Sequence, residues 1–315
     1  MEKFNGFTKG VNLGGWLSQC DYSIERLTGF IVEDDIKTIS SWGVDHVRLP
    51  LDYNIVQNED GTINTAGFGY IDHALEMCGK YGLNTVLDLH KTAGYSFDKG
   101  ENESGFFTRN EYQERFYCLW EELARRYGNS DNIAFELLNE ITDKKFSAEW
   151  NRIARECIKR IRAIAPDTVI LVGGYWNNSA AAVKDLDKPY DDRVVYNFHC
   201  YEPMMFTHQG APWVDKMDPD FRLAYADSDW NGQKFIDAFR EAFETAQKNG
   251  TVLYCGEYGV IDKAATEDTL RWYKDINAAF EHYGISRCAW SYKQMDFGLS
   301  DERLSGIIEE LVRYL

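Results

Sequence analysis

Two apolar runs in this 315-residue chain end in a glutamate, and both are candidates for chemistry. Phe135-Glu136-Leu137-Leu138 runs into Asn139-Glu140, and Thr251-Val252-Leu253-Tyr254-Cys255-Gly256 runs into Glu257. Runs of this kind read as buried parallel strands, with the polar residues at the carboxyl ends where the strands meet solvent. If both strands belong to one parallel barrel, their tips converge on one face and the two carboxyl groups can flank a single bond. Cleavage of a glycosidic bond requires that arrangement, with one carboxyl protonated to donate to the leaving oxygen and the other ionised to attack the anomeric carbon.

The elements that must position the pair alternate through the chain. Expected strands are Lys9–Leu13, His46–Pro50 (cut by its proline), Thr85–His90, the run ending at Glu140, Val169–Val172, Val194–His199, the run ending at Glu257, and Cys288–Tyr292. Helical periodicity falls between them: Glu33 to Trp42, Ile71-Ala74-Leu75-Cys78, Phe116 to Tyr127 with Asn110 as N-cap, and Trp150 to Ile161. A helix to about Lys248, one carrying Leu270, Tyr273, Ile276 and Phe280, and a closing helix from Ile307 to Leu315 complete the pattern. Eight strands alternating with helical segments predict an α/β (β/α)8 TIM barrel, a single domain over residues 1–315. An open doubly wound sheet would bring a G-x-G-x-x-G turn after its first strand, and Gly10-Val11-Asn12-Leu13-Gly14-Gly15 does not fit. Between Tyr201 and about Trp230 there is little periodicity, and loops of that length in compact domains usually serve function.

In such a barrel the strand ends bring Arg48, His90, Asn139 with Glu140, His199 with Tyr201, Glu257 and Trp290 around one pocket. A lone His90 or His199 more often bonds backbone than does chemistry, yet so many polar strand ends are hard to explain structurally. Arg48 and the Tyr201 hydroxyl are expected to favour the charged form of Glu257, whose charge then holds the proton on Glu140. Asn139 is expected to bond a sugar 2-hydroxyl, and Trp290 to lie beneath a sugar ring. Trp16, Tyr95, Phe106, Phe107, Trp176, Phe206 and Trp213 fall in segments on the same face, where each either lines a cleft or fills core. Lys293 and Asp296, just beyond the eighth strand, either reach sugar hydroxyls or bond each other. Trp42, Trp120, Trp150 and Trp272 sit in helices and read as core.

Composition agrees with a neutral ligand. The net charge of -17 argues against nucleic acid or an anionic membrane surface, and the 15% aromatic content, with nine Trp and nineteen Tyr, suits flat apolar sugar faces. Seven scattered cysteines without a C-x-x-C pair read as free thiols in a reducing compartment, and the sequence as written opens with no apolar leader. The expectation is a cytoplasmic monomer, or a secreted protein if a leader precedes this sequence. Other chemistries lack their marks. No His-x-His pair stands on the first strand for a metal, no G-x-S-x-G elbow serves a serine nucleophile, and a binding-only barrel would lack one of the carboxylates.

These same segments resemble glycoside hydrolase family 5, in its cellulase or endo-β-1,4-glucanase branch. The resemblance rests on Leu138-Asn139-Glu140, Gly256-Glu257-Tyr258-Gly259, His46-Val47-Arg48-Leu49-Pro50, Asp88-Leu89-His90, Asn197-Phe198-His199-Cys200-Tyr201 and Trp290. It extends to Gly10 through Gln19 and to Trp290 through Phe297, nearly the whole chain in order. It implies a retaining β-glucan hydrolase with Glu140 as acid/base and Glu257 as nucleophile. Arg48, His90, Asn139, His199, Tyr201 and Trp290 form the surrounding shell; Trp16 and Lys293 are counted among the substrate-binding candidates from their place on the same face, not from the resemblance. The implied partner is a β-glucan polysaccharide or oligosaccharide, without metal or organic cofactor. Relatives acting on β-1,3- or mixed-linkage glucan share the core. One departure is Lys91, where that family usually has His or Gly; a shorter loop after the sixth strand is another.

Overall fold

A computed structural model describes residues 4–98, 101 and 103–315. Eight parallel strands close into a barrel in sequence order, β1 to β8. They are β1 Lys9–Asn12, β2 His46–Asp52, β3 Asn84–Lys91, β4 Ile133–Glu136, β5 Val169–Gly173, β6 Val194–Cys200, β7 Leu253–Tyr258 and β8 Ser286–Ala289. Six helices of nine residues or more pack outside: α1 Glu33–Ser41, α2 Phe68–Lys80, α3 Asn110–Tyr127, α4 Ser147–Arg162, α5 Gly232–Asn249 and α6 Thr266–Tyr283. The expected helical segments are not all long helices. The β5 to β6 connection is covered by a 3-10 stretch, Ala180–Asp185, and the closing helix is one turn, Ile308–Leu311, followed by 3-10 backbone. The β5 exit is taken up by Gly173, Gly174 and an irregular turn over Tyr175–Asn178.

Why these residues make a barrel follows from their period of two. Val47, Leu49, Leu87, Leu89, Phe135, Ile170, Val172, Phe198 and Cys255 point outward into the main core against the helices. Burying each large aliphatic side chain there stabilises the fold by about 1.5–3 kcal/mol. Val86, Ala134, Leu171, Val195, Tyr254 and Cys288 form a second cluster, plugged by Phe4 and Phe7 at the amino end of the barrel. Two residues further along, the inward position turns polar with Arg48, Asp88, Glu136 and Asn197, and Glu136 meets Arg48 and Asn197 across strands that are not neighbours, which only the barrel interior allows.

Two strand boundaries differ from expectation for a physical reason. Pro50 does not cut β2, which pairs with β3 through Pro50–Asp88 and beyond. On its other side β1 has already ended at the Asn12–Arg48 pair, so the missing N–H of Pro50 faces no ladder. The fourth strand stops at Glu136 rather than Glu140, yet the chain stays pinned because Leu137 N–H bonds Leu171 (3.2 Å) and Asn139 N–H bonds Leu89 (3.1 Å). Those alternating bonds to both neighbours carry Asn139 and Glu140 straight to the mouth.

Candidate active site

The mouth of the barrel opens into a cleft of about 900 Å³, with Glu140, Glu257, His90, His199, Tyr201 and Trp290 on its wall. Carboxylate oxygens of Glu140 and Glu257 and a ring nitrogen of His199 all lie within 4.8 Å of one another. His199 Nδ1 stands between the glutamates, 2.9 Å from Glu140 Oε1 and 3.6 Å from Glu257 Oε2. Gly256 makes this approach possible, because a Cβ there would sit 2.7 Å from Asn197 Oδ1 and 3.0 Å from His199 Nε2.

Arg48, wholly buried, organises the floor. Its Nε and Nη2 donate to the two oxygens of Glu136 at 2.7 and 2.8 Å, and Nη1 donates to Glu257 Oε1 at 2.8 Å. Nη2 also donates to Asn139 Oδ1 at 2.8 Å, and Asp88 Oδ2 is 3.0 Å away. Three carboxylates thus share one guanidinium in a dry interior, more negative charge than it neutralises. Burial raises the pKa of Asp88, Glu140 and Glu257 to about 7 each, and that of Glu136 above its ordinary range. It also lowers His199 to about 4 and His90 well below its ordinary value, so both imidazoles are neutral near pH 7.

The two glutamates differ in their hydrogen bonds. Glu257 accepts from the Arg48 guanidinium and, at 2.9 Å, from the Tyr201 hydroxyl, whereas the partners of Glu140 are neutral, the Asn177 amide at 2.7 Å and the His199 ring at 2.9 Å. Charge-assisted bonds are the stronger, so Glu257 is the first of the coupled pair to ionise and Glu140 keeps the proton. The Asn139 Nδ2 donor has no partner among the described residues, which leaves it available to a hydroxyl in the cleft. Trp290 stacks parallel to His90 with ring centroids 5.8 Å apart, and its indole edge rests where a Cβ on Gly14 would come within 2.8 Å.

Two side chains expected at the substrate lie elsewhere. Trp16 is 1% exposed and its indole N–H is spent on the Leu27 carbonyl, so it is core. Lys293 turns away from the cleft to Asp35 (2.7 Å) over the Phe30 ring, because the chain after Trp290 bends back toward α1. It does not bond Asp296, which lines the cleft. Of the loop aromatics, Trp176 and Trp213 are exposed on the cleft wall, whereas Phe106, Phe107 and Phe206 are buried. Tyr95 is buried too, its hydroxyl donating to the Glu140 carbonyl. Lys91 pairs with Asp98 (2.7 Å) and Glu101 (2.6 Å), which ties down the loop carrying Phe97 beside His90.

Sequence reasoning missed the inward polar layer of Asn12, Asp88, Glu136 and Asn197, and it missed Asn177. The layer had a signal: a polar residue at every second position of otherwise apolar strands, as in Val86-Leu87-Asp88-Leu89-His90. Asn177 had none, since it reaches Glu140 through an irregular turn. Among the described residues Glu140, His199 and Glu257 form the one cluster with metal-ligand spacing. Arg48 and Tyr201 donate to Glu257 there, and Asn177 donates to Glu140.

Comparison with known proteins agrees with this geometry. A family model described as "Cellulase (glycosyl hydrolase family 5)" matches residues 7–296. Cellodextrinase A of Ruminococcus flavefaciens is 60% identical over 288 residues, covering 91% of this chain and 86% of that protein. Endoglucanase C of Acetivibrio thermocellus is 38% identical, covering 98% of both chains. The fold superposes on Cel5A of Thermotoga maritima, solved with mannotriose, with a TM-score of 0.84 at 24% identity, over 100% of this chain and 99% of that one.

Proposed function

The chain belongs to glycosyl hydrolase family 5, and from that premise we propose that it is an endo-acting, retaining β-1,4-glucanase in which Glu140 is the acid/base and Glu257 the nucleophile. The observation that carries the reading is the separation of the two carboxylates, whose oxygens come within 4.8 Å around one imidazole. Retaining enzymes hold their carboxyl groups at about 5–5.5 Å, whereas inverting enzymes leave about 6.5–9.5 Å for a water.

In the first step Glu257 attacks the anomeric carbon while Glu140 gives its proton to the departing glycosidic oxygen. The C–O bond breaks and a glycosyl ester forms on Glu257. That ester removes the negative charge facing Glu140, and the Arg48–Glu257 ion pair with it. Glu140, now ionised, takes a proton from water as the water attacks the same carbon, and Glu257 leaves as the carboxylate. Asn139 Nδ2 is placed to bond the 2-hydroxyl as the oxocarbenium ion develops, and Trp290 to lie under the ring. The exposed Trp176 and Trp213 are proposed platforms for further sugars. The substrates proposed are β-1,4-glucan chains and their soluble oligosaccharides, a reading supported by relatives named as a cellodextrinase and an endoglucanase.

Product analysis tests the reading. Proton NMR of the first product from a cellooligosaccharide should show the β-anomer before mutarotation, and an initial α-anomer would overturn double displacement. Mid-chain products from carboxymethylcellulose are expected, whereas glucose alone from laminari-oligosaccharides would move the assignment to exo-1,3 action. With two carboxyls raised to about 7, activity should trace a narrow bell near neutral pH whose limbs belong to the pair.

One chain supplies every side chain of the site, so a monomer suffices, and light scattering that finds only dimers would overturn this. Seven free cysteines support a reducing compartment. Fewer than seven titratable thiols in the freshly isolated, unfolded protein would argue otherwise.

A further inference from the structure

Between β5 and the 3-10 stretch that follows it, three consecutive residues other than glycine, Trp176, Asn177 and Asn178, hold φ values of 51°, 54° and 55°. Left-handed backbone is disfavoured for residues with a Cβ and is visited singly rather than in runs, so a run of three needs a reason. What the turn delivers is a pair of amides. Asn177 Nδ2 donates to Glu140 Oε2 at 2.7 Å. Asn178, fully buried, presents Nδ2 to His199 Nε2 at 3.4 Å.

The second contact fixes a tautomer. An amide nitrogen only donates, so Nε2 of the neutral His199 must accept, and the ring proton stands on Nδ1. From there it points at Glu140 Oε1, 2.9 Å away. We propose that the left-handed turn Trp176–Asn178 is a proton-positioning device for Glu140, in which Asn177 donates to one carboxylate oxygen directly and Asn178 secures donation to the other through the His199 tautomer. Both amides are positioning residues. A carboxyl that must be an acid in one step and a base in the next works best when neither form is strongly preferred. Burial alone would hold Glu140 protonated, and two donors aimed at its oxygens oppose that.

The inference rests on Glu140 being the acid/base. Other charged and titratable groups face it too: Arg48 from β2, Asp88 from β3, Asp98 and Tyr95 from the loop after β3, Glu136 from β4, Tyr201 beyond β6 and Glu257 from β7. None of them is a hydrogen-bond partner of the Asn177 or Asn178 side chain, so a shift on removal of either is expected to report the amide itself.

The test is the pH dependence of kcat/KM on cellotetraose for the wild type, Asn177→Gly and Asn178→Gly. Glycine adopts the left-handed backbone without penalty, so both variants keep the turn and lose only the amide. For Asn177→Gly the basic limb should move up by about one pH unit, the order expected for loss of one hydrogen bond to a charged group. For Asn178→Gly it should move the same way by less. Nitrogen-15 NMR at neutral pH should show His199 protonated at Nδ1 in the wild type and mixed tautomers in Asn178→Gly, with His199→Gln identifying the signals. A basic limb unmoved in Asn177→Gly, or a wild-type His199 protonated at Nε2, overturns the proposal; thermal unfolding of each variant separates this from loss of fold. Dinitrophenyl cellobioside, whose leaving group needs no acid, isolates the premise. If the wild-type basic limb persists on that substrate, it is the assignment of Glu140 that fails. If the limb is confined to cellotetraose and ignores Asn177→Gly, only the present inference fails.

Discussion

At the end of the barrel plugged by Phe4 and Phe7, the buried imidazole of His46 is fully paired. His46 has both ring nitrogens engaged, Nδ1 with Asp45 at 2.7 Å and Nε2 with the Tyr254 hydroxyl at 2.8 Å. At the mouth, one guanidinium serves Asp88, Glu136 and Glu257, and the buried atoms Asp88 Oδ1, Asn139 Nδ2 and Asn178 Oδ1 have no partner among the described residues. The strands are the same eight. The difference teaches that a buried polar group kept for stability is paired, whereas a cluster carrying surplus like charge is destabilising and persists for chemistry.

Substitutions at the two ends should therefore separate activity from stability. The largest expected effect is Glu257→Ala, with kcat reduced by about 10⁵-fold because the covalent intermediate cannot form. Azide should restore part of the turnover as a glycosyl azide of inverted configuration, detectable by NMR. Melting temperature should hold or rise, since a crowded carboxyl is gone. A variant that loses activity only by unfolding would break the comparison.

His46→Phe should do the reverse. It leaves the buried Tyr254 hydroxyl without its partner and should cost about 1–3 kcal/mol in urea unfolding, with kcat/KM unchanged. A matching fall in kcat/KM would show that the two ends are not separable.

Asp88→Asn sharpens the contrast through pH. Burial raises Asp88 from 3.8 to about 7, so between those values the folded chain keeps a proton that the unfolded chain has released. Its contribution to stability is full below about pH 4 and is lost as pH rises through about 7. The variant should gain stability over the wild type as pH is raised from about 4 to 8, measured by urea unfolding at each pH; a gap that shrinks with rising pH would contradict the assignment.

The smallest effect is expected at Lys91→Met. Freeing Asp98 and Glu101 should loosen the loop beside His90 and raise KM for cellotetraose on the order of threefold, with kcat little changed. Equal loss in kcat would place Lys91 closer to the reacting atoms than its contacts do.

Strand and helix alternation, the order of the strands, the parallel barrel and the convergence of Glu140 with Glu257 were all readable in the sequence. Each rests on local periodicity plus one topological rule, that a parallel barrel gathers its strand tips on one face. What the folded chain alone decided lies in contacts between distant segments and in backbone off the regular wells. Trp16 and Lys293 stand near mouth residues in sequence, yet the paths of the loops after β1 and β8 spend them on Leu27 and Asp35. Glu136 becomes a partner of Arg48 only because the barrel closes, and Asn177 reaches Glu140 only because three residues turn left-handed. Periodicity fixes which face of a strand or helix a side chain occupies. It carries no information about which groups meet across an interior or about a turn that no local preference favours, and those two decide the proton inventory of the site.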